Sequence, residues 1–560
     1  MNRKLGNRIR PAAMLSMAIG CGIAFAADQS APDINFNPSD NYFKMGGYVR
    51  TWVSWNLEDS DVKTSPLPGQ PTFPELKGKG KVMMERAALQ LTADAKTGPM
   101  TWRAIARADR EKITPWGKEL QSRACYAATF GGKGPGPGCD IKNVYNQTEL
   151  RELYTDFNVG DRFLVRLGKQ QVVFGETDFF HPNDLLHGFD FRWRAFGEPE
   201  SDEQRKPLIM ANVKMAVPEA AGTLQLVVRP GWDRKQDIGN SYDINGGRWA
   251  AVPNQGVDYL AYATEFDYDH PEGDYRSTTG ALRWSGLANG GALNYAVSYQ
   301  HVFQPDFVLN PCGVFAGAGD RDATGCVKSL YYKKAPTNKA YGDYFYPMID
   351  VIGASVSGES ETIDAVVNFE VAYQKDRLFN SFTDVSGTPN AAGFFQIPNN
   401  AGTMGPVKKK DVVQTTLRAD KQLRIMDWIG TNAPSFASLQ IFDTWIQDLK
   451  GEDDIVAGLG SSAKLKTHST IATVSCQFPY MASRLTYGVA YGRELQAGNQ
   501  FFIPSVSYNY DDNWRFAADA VIFKTKDART DNTTSAGNDM YGMAAFYKRS
   551  YLTLRATYQF

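Results

Sequence analysis

The last nine residues of the chain alternate without a break. Leu552, Leu554, Ala556, Tyr558 and Phe560 form one set, and Thr553, Arg555, Thr557 and Gln559 form the other. Successive side chains of an extended strand point to opposite faces, so this segment has one apolar face ending in aromatics and one polar face. A tilted strand of about 9–11 residues crosses a bilayer. It cannot do so alone, because unpaired backbone N–H and C=O groups are too costly in lipid, so such a strand implies a closed sheet.

The same period recurs along the chain. Trp514, Phe516, Ala518, Ala520 and Ile522 share a face opposite Arg515 and Asp519, after a turn at Asp511-Asp512-Asn513. Near the other end Val49, Val53, Trp55 and Leu57 oppose Arg50 and Ser54. Trp102, Ala104, Ala106 and Ala108 oppose Arg103, Arg107 and Asp109, after a turn at Lys96-Thr97-Gly98-Pro99. About twenty segments read this way, among them 259–267 and 539–547. Long polar segments separate some of them (58–80, 112–143, 174–204, 230–258, 304–345, 374–410) and short turns separate others. That is the pattern of an outer-membrane barrel. Twenty strands do not keep long and short connections in alternation, so one or two segments are expected to be loop hairpins, or strands to have been missed. The expectation is an all-β fold, a transmembrane antiparallel β-barrel of about 18 strands (range 16–20) with long extracellular loops. A soluble sandwich or propeller would also alternate, but it does not call for aromatic ends on apolar faces, and no blade motif repeats.

The N-terminus carries Arg3, Lys4, Arg8 and Arg10, an apolar stretch over 11–25, and Ala24-Phe25-Ala26. This reads as a signal peptide, dividing the chain into 1–26 and a barrel over 27–560. Cys21 follows Ala18-Ile19-Gly20, which lacks the usual lipoprotein leucine. Beyond it no run of about 18 apolar residues occurs, so no transmembrane helix is expected. Loss of four basic and no acidic residues takes the formal charge from −1 to −5. That balance gives nucleic acid no reason to bind. The expected location is the Gram-negative outer membrane, with Phe560 as the targeting residue. The expected partners are outer-membrane lipid, lipopolysaccharide and the barrel-assembly machinery.

Cys125 and Cys139 have the same spacing as Cys312 and Cys326, and both pairs lie in loop-like stretches. In an oxidising compartment each pair reads as a loop-closing disulfide. Neither has metal-ligand spacing. His181-x-x-Asp184-x-x-His187 offers possible ligands, but Pro182 favours a plain loop, so no metal and no cofactor is expected.

Segment 150–184 carries a distinctive pattern. It reads Leu150-Arg151-Glu152-Leu153-Tyr154, then Gly168-Lys169-Gln170-Gln171 with Phe174-Gly175-Glu176, then Pro182-Asn183-Asp184. This resembles the proteobacterial outer-membrane family catalogued as domain of unknown function thirteen-zero-two, with Phe174 in place of the usual Trp and Pro182-Asn183 in inverted order. Gly46-Gly47-Tyr48-Val49-Arg50 and the terminal Phe fit the same family. The resemblance implies a barrel that moves hydrophobic compounds or lipids across the envelope. It also implies two companions, a periplasmic lipid-carrier-like protein and an inner-membrane transporter.

Charged residues on a lipid face cost about 2–4 kcal/mol at the midplane, so Arg103, Arg107, Asp109 and Arg166 are expected in the lumen. There they either guide a solute or pair with one another to stiffen the wall. Lys169, Gln170 and Glu176 bracket a strand end that enters a long loop, and Lys169 with Glu176 is the expected luminal pair at a constriction. Phe179, Phe180 and Trp193, with Phe189 and Phe191, would give that loop a surface for apolar solutes. The expected function is a channel or transport component for small hydrophobic or amphipathic molecules, without catalysis. The alternatives are a surface receptor or adhesin, and an outer-membrane hydrolase. The hydrolase lacks a G-x-S-x-G elbow or any zincin motif.

Overall fold

A computed structural model describes residues 41–59, 76–129, 137–175, 182–192, 201–250, 255–256, 264–265, 277–309, 343–380, 408–431, 433–453, 455, 465–525 and 542–560. Eighteen strands form one antiparallel sheet. They are β1 (Tyr42–Asn56), β2 (Val82–Thr97), β3 (Met100–Glu111), β4 (Gln147–Val159), β5 (Phe163–Gln170) and β6 (Leu208–Val217). Then come β7 (Gly222–Arg229), β8 (Thr279–Ala288), β9 (Leu293–Phe303), β10 (Met348–Ser360), β11 (Ala365–Phe379) and β12 (Lys408–Leu423). The last six are β13 (Ser435–Ile446), β14 (His468–Tyr480), β15 (Leu485–Glu494), β16 (Gln500–Asn509), β17 (Trp514–Lys524) and β18 (Tyr551–Gln559). Each pairs with the next, and β18 returns to β1 with Tyr48 opposite Gln559 and Asn56 opposite Tyr551. The sheet is therefore closed and has no edge. No described helix is long and apolar enough to cross a membrane.

Two of the segments read as strands are not in the wall. In 259–267 only Thr264–Glu265 is described, and it pairs with Asp343–Tyr344 in a separate three-stranded sheet. In 539–547 the described part, 542–547, is mostly a 3-10 turn, Gly542–Phe546, with Met543 and Ala544 buried. Its apolar residues are consecutive rather than alternate, which suits a turn packed inside the barrel mouth, where Phe546 stacks on Phe523 at 5.0 Å. Without these two, long connections and short turns alternate, apart from a short β15–β16 connection (495–499) among the long ones and an eleven-residue β12–β13 connection (424–434) among the turns. The rim that carries every connection of more than twenty residues lies opposite the rim that carries the intervening turns and the ends of β1 and β18.

The period of two sorts each strand by face. On β18 the exposed Leu554 and Tyr558 look outward, while Thr553, Arg555 and Thr557 are buried inside. Across the closing seam Arg50 donates Nε–H to Thr557 Oγ1 at 2.9 Å, and the Ser54 and Thr553 hydroxyls bond at 2.8 Å. Aromatics cluster outward on the short-turn rim, where Trp514 lies 5.0 Å from Tyr558 and Tyr558 lies 6.3 Å from Phe560. Gly98 has φ +58°, and the turn Gly98-Pro99 joins β2 to β3 as a tight hairpin. On the opposite rim polar groups reappear outward. Asp350 accepts bonds from Tyr299 Oη at 2.7 Å and pairs with His301 Nδ1 at 2.8 Å, and His468 meets Asp443 at 2.9 Å. Between these limits the outer surface is apolar, as a bilayer requires.

The polar segment after β3 is largely helical. Thr114 Oγ1 accepts from Gly117 N–H at 3.0 Å and caps α1 (Pro115–Thr129), whose first residue is a proline. A second short helix, α2 (Ile141–Tyr145), follows. The Cys125–Cys139 disulfide ties the pair together, and Gln121 Nε2 donates to Cys139 O at 2.8 Å. Trp116, Leu120 and Ala124 bury against Met83, Met84 and Trp249, roofing the β1–β3 side of the mouth.

Candidate functional site

The site is built by the connection between β5 and β6. By Gly175 this chain already reaches Glu370 on β11, because a Cβ there would stand 3.5 Å from Glu370 Oε2. Its tip then binds the wall. Asn183 donates Nδ2–H to Glu370 Oε2 at 3.2 Å and to Ala354 O on β10 at 3.3 Å. Gln300 on β9 donates to Asn183 O at 2.8 Å. Gly353 leaves the room, since a Cβ there would fall 2.2 Å from Asn183 Oδ1.

The returning limb binds the other side. Glu203 lies in a single helical turn, Ser201–Gln204. Its carboxylate pairs with Arg50 on β1, lies 3.2 Å from Arg107 Nη1 on β3, and accepts the Tyr48 hydroxyl at 2.8 Å. Asp109 holds this cluster from behind, 3.0 Å from both Arg107 and Arg86. β1 and β10 are nine places apart in a ring of eighteen. The loop therefore forms a strut across the lumen, with Asn183 on one wall and Glu203 on the other.

Arg205 is the hub of the strut. Its Nη2 meets Asp184 at 2.6 Å and its Nη1 meets Gln171 Oε1 at 3.2 Å, while its carbonyl accepts Arg151 Nη2 at 2.9 Å. Gln171 in turn donates to Glu152 at 2.9 Å. Arg151, Gln171 and Asp184, scattered through the motif of segment 150–184, thus converge on Arg205, with Glu152 behind Gln171. His187 closes the base, bonding Val172 N–H through Nε2 and Lys206 O through Nδ1, each at 2.9 Å. Burial pushes its pKa down to about 4, so the ring is neutral and both nitrogens are engaged.

A second inserted segment lies over β2 and β3. Arg248 forks onto Glu111, with Nη2 to Oε2 at 2.6 Å. Asp243 accepts the Tyr145 hydroxyl at 2.7 Å and Trp249 N–H at 3.0 Å, and burial pushes its carboxyl up to about 6. The two segments are joined where Lys206 Nζ donates to Gly239 O at 2.8 Å and Gln236 O at 3.0 Å.

Of the candidates named from sequence, Arg103, Arg107, Asp109 and Arg166 all face the lumen. Arg103 forks onto Asp94 at 2.8 and 3.2 Å, and Arg166 onto Asp156 at 2.7 and 2.8 Å. Gln170 is fully buried and bonds Met210 O at 2.9 Å. Lys169 departs from expectation. It stands opposite Leu153 and Ile209 on the outward face, and its ammonium lies 3.8 Å from Asp237. Glu176, Phe179, Phe180, Trp193, Cys312 and Cys326 lie outside the described residues. Glu203, Arg205 and Asn183 were not named as site residues, although Asn183 and Asp184 stand in the quoted motif.

These features define a closed membrane-spanning β-barrel whose own loop crosses the lumen. The chain belongs to the family described as "Protein of unknown function (DUF1302)", whose model matches residues 129–560. No curated protein matches the chain. Among solved structures it is similar to the outer membrane channel DcaP of Acinetobacter baumannii, at 10% identity over 93% of this chain and 97% of that one, with a TM-score of 0.37. It is also similar to OpdK of Pseudomonas aeruginosa, solved with vanillate, at 8% identity over 92% and 98%, with a TM-score of 0.40. OccAB1 of Acinetobacter baumannii matches at 9% identity over 92% and 96%, with a TM-score of 0.42.

Proposed function

We propose that this protein is a Gram-negative outer-membrane channel or transport component for small hydrophobic or amphipathic molecules, gated by the strut between β5 and β6. The observation that carries the reading is the anchoring of one loop to opposite walls through Asn183 and Glu203. A barrel of eighteen strands is wider than side chains alone fill, so it encloses a lumen unless something crosses it. A receptor or adhesin needs no strut across that lumen. A hydrolase needs a free base beside a nucleophile; among the described histidines, His187 has both nitrogens bonded to backbone, and His301 and His468 face outward onto carboxylates. The long-loop rim then faces the exterior and the short-turn rim the periplasm. A lipid-carrier-like protein and an inner-membrane transporter, the companions implied by the family resemblance, belong to the same proposal.

The test is planar-bilayer conductance of the refolded protein, beside flux of an apolar dye into proteoliposomes. Low, gated conductance with dye flux, both raised by Glu203→Gln, supports the reading. A folded, heat-modifiable barrel that passes neither ions nor dye with or without that substitution overturns it.

A further inference from the structure

At the long-loop rim of the closing seam, Ser550 ties three strand ends together. Its hydroxyl accepts Phe523 N–H on β17 at 3.0 Å, and its carbonyl accepts Leu57 N–H, just past β1, at 2.9 Å. Its own N–H donates to Glu58 at 3.2 Å. Beside it stands Arg549, in the connection that leads into β18, with only 7% of its surface exposed. Among the described residues nothing bonds its guanidinium, and Nε and Nη2 are both buried without a partner.

These two nitrogens form one edge of the guanidinium. The same edge forks onto a carboxylate at Arg103–Asp94 and again at Arg166–Asp156. On Arg549 the fork meets no acid. Glu58 is the one described acid that acts on it, and burial outweighs that attraction, pushing the pKa down to about 9. Two more polar ends are buried unpaired nearby. Asn56 Nδ2 belongs to the last residue of β1, which stands opposite Tyr551. Thr525 Oγ1 comes just after β17, two places past Phe523 and on the same face. Guanidinium, amide nitrogen and hydroxyl are all donors. A set of donors is complementary to an oxyanion, and a guanidinium fork matches carboxylate or phosphate with two parallel bonds. Turning Asn56 and Thr525 to admit a head group costs no bond at these unpaired ends. The remaining surroundings are apolar. Phe523, Met543 and Tyr551 belong to a buried cluster that includes Phe501, Trp52 and Trp249, and Phe546 packs against it. A charged fork at the end of such a cluster has the complementary form of an amphipathic acid.

We propose that Arg549, with Asn56 and Thr525, binds the oxyanion head group, carboxylate or phosphate, of an amphipathic small molecule whose apolar part lies along Phe523, Phe546 and Tyr551. The ligand class rests on the transport reading given above, while binding is measured without transport. The site is separate from the strut, whose cations Arg50 and Arg107 already hold Glu203.

The experiment titrates the refolded protein in nanodiscs by calorimetry, with protein-free nanodiscs subtracted. The probes are octanoate and octyl phosphate, compared with 1-octanol, acetate and inorganic phosphate. Saturable binding of the two amphipathic anions is expected, weaker by about tenfold or more in Arg549→Gln and for 1-octanol. Arg549→Lys keeps the charge without the fork and should recover only part of the loss. Octanoate and octyl phosphate affinities unchanged in a folded, heat-modifiable Arg549→Gln overturn the site, as does 1-octanol binding as tightly as octanoate. Acetate or inorganic phosphate binding as tightly as its octyl counterpart makes the ligand a free ion and overturns the amphipathic assignment. If Arg549→Gln does not fold, the native protein decides. Saturating octanoate should slow hydrogen exchange over 542–551, and exchange there that octanoate leaves unaltered overturns the site. Arg549-dependent binding to a barrel that passes neither ions nor dye supports the site and overturns the transport reading.

Discussion

Asn183 and Glu203 belong to one loop and are bound to opposite walls of the barrel, Asn183 to Glu370 at 3.2 Å and Glu203 to Arg107 at 3.2 Å. Two anchors of different chemistry hold the strut. One is an amide side chain hydrogen-bonded to the Glu370 carboxylate and a wall carbonyl, and the other is a buried carboxylate among guanidinium groups.

Removing the charged anchor should have the larger effect. Breaking a buried ion pair from one side costs about 3–5 kcal/mol, because the remaining charges stay buried without compensation. In Glu203→Gln the residue keeps its shape, but the negative charge it places against Arg50 and Arg107 is lost, and Asp109 alone cannot replace it at Arg50. The expected outcome is a raised and noisier single-channel conductance, with faster hydrogen exchange over 182–192 and unchanged heat-modifiability of the barrel. Unaltered exchange in that segment would mean that the carboxylate does not hold the strut.

The amide anchor can be displaced without replacing a charged residue. In Gly353→Ala the new methyl would overlap Asn183 Oδ1, which stands 2.2 Å from its position. Gly353 sits in the hydrogen-bonded body of β10, so the side chain of Asn183 must yield rather than the strand. Conductance should rise as in Glu203→Gln, by a smaller factor, because an amide hydrogen bond contributes roughly 0.5–1.5 kcal/mol, or about 1.5–3 kcal/mol where the acceptor is a carboxylate such as Glu370, against about 3–5 kcal/mol for one side of a buried ion pair. Asn183→Ala should match it, and combining the two should add nothing further.

The wall was legible because its physics is local. Alternation over nine residues at the C-terminus is enough to place Leu554 outside and Arg555 inside, and the cost of charge in lipid places Arg103 and Arg107. The same reasoning fails for Lys169, whose long stem lets an outward position carry its ammonium up to Asp237 at the strand top. It fails again at 539–547, where a packed 3-10 turn is as apolar as a strand without its alternation. The strut was not legible as such. Nothing local pairs Glu203 with Arg50, because that contact is set by the diameter and closure of the sheet. The motif of segment 150–184 was the one available pointer, and Arg205, where its residues meet, lies outside it.

The disulfide Cys125–Cys139 should stabilise the roof rather than the barrel. A loop of that size gains about 3 kcal/mol from closure on the chain-entropy model. Cys125→Ser/Cys139→Ser should expose α1 to limited proteolysis under conditions where the native roof resists, and should loosen Trp116 and Leu120 from Met83. The barrel should still run as a folded, heat-modifiable species. Loss of the folded barrel itself would show that the roof is required for closure of the sheet.

The two inserted segments should respond to acid in opposite directions. Burial raises Asp243 from 3.8 to about 6, so a docked segment binds more protons than a released one between roughly pH 4 and 6. Its docking is therefore strongest below that window and weakens as pH rises through it, by roughly 3 kcal/mol when complete. Burial lowers His187 from 6.5 to about 4, so there the released segment binds the extra proton. Docking of the strut is full above about 6.5 and is lost as pH falls toward 4. Hydrogen exchange at the two ends of this range should show residues 240–250 better protected in acid and residues 182–192 less protected. Asp243→Asn keeps an oxygen able to accept from both Tyr145 and Trp249, so it should hold the first segment docked at either pH and leave the acid response of the second unchanged. Faster exchange over 240–250 in acid than at neutral pH in the native protein would place the Asp243 carboxylate outside the dry contact with Tyr145 and Trp249.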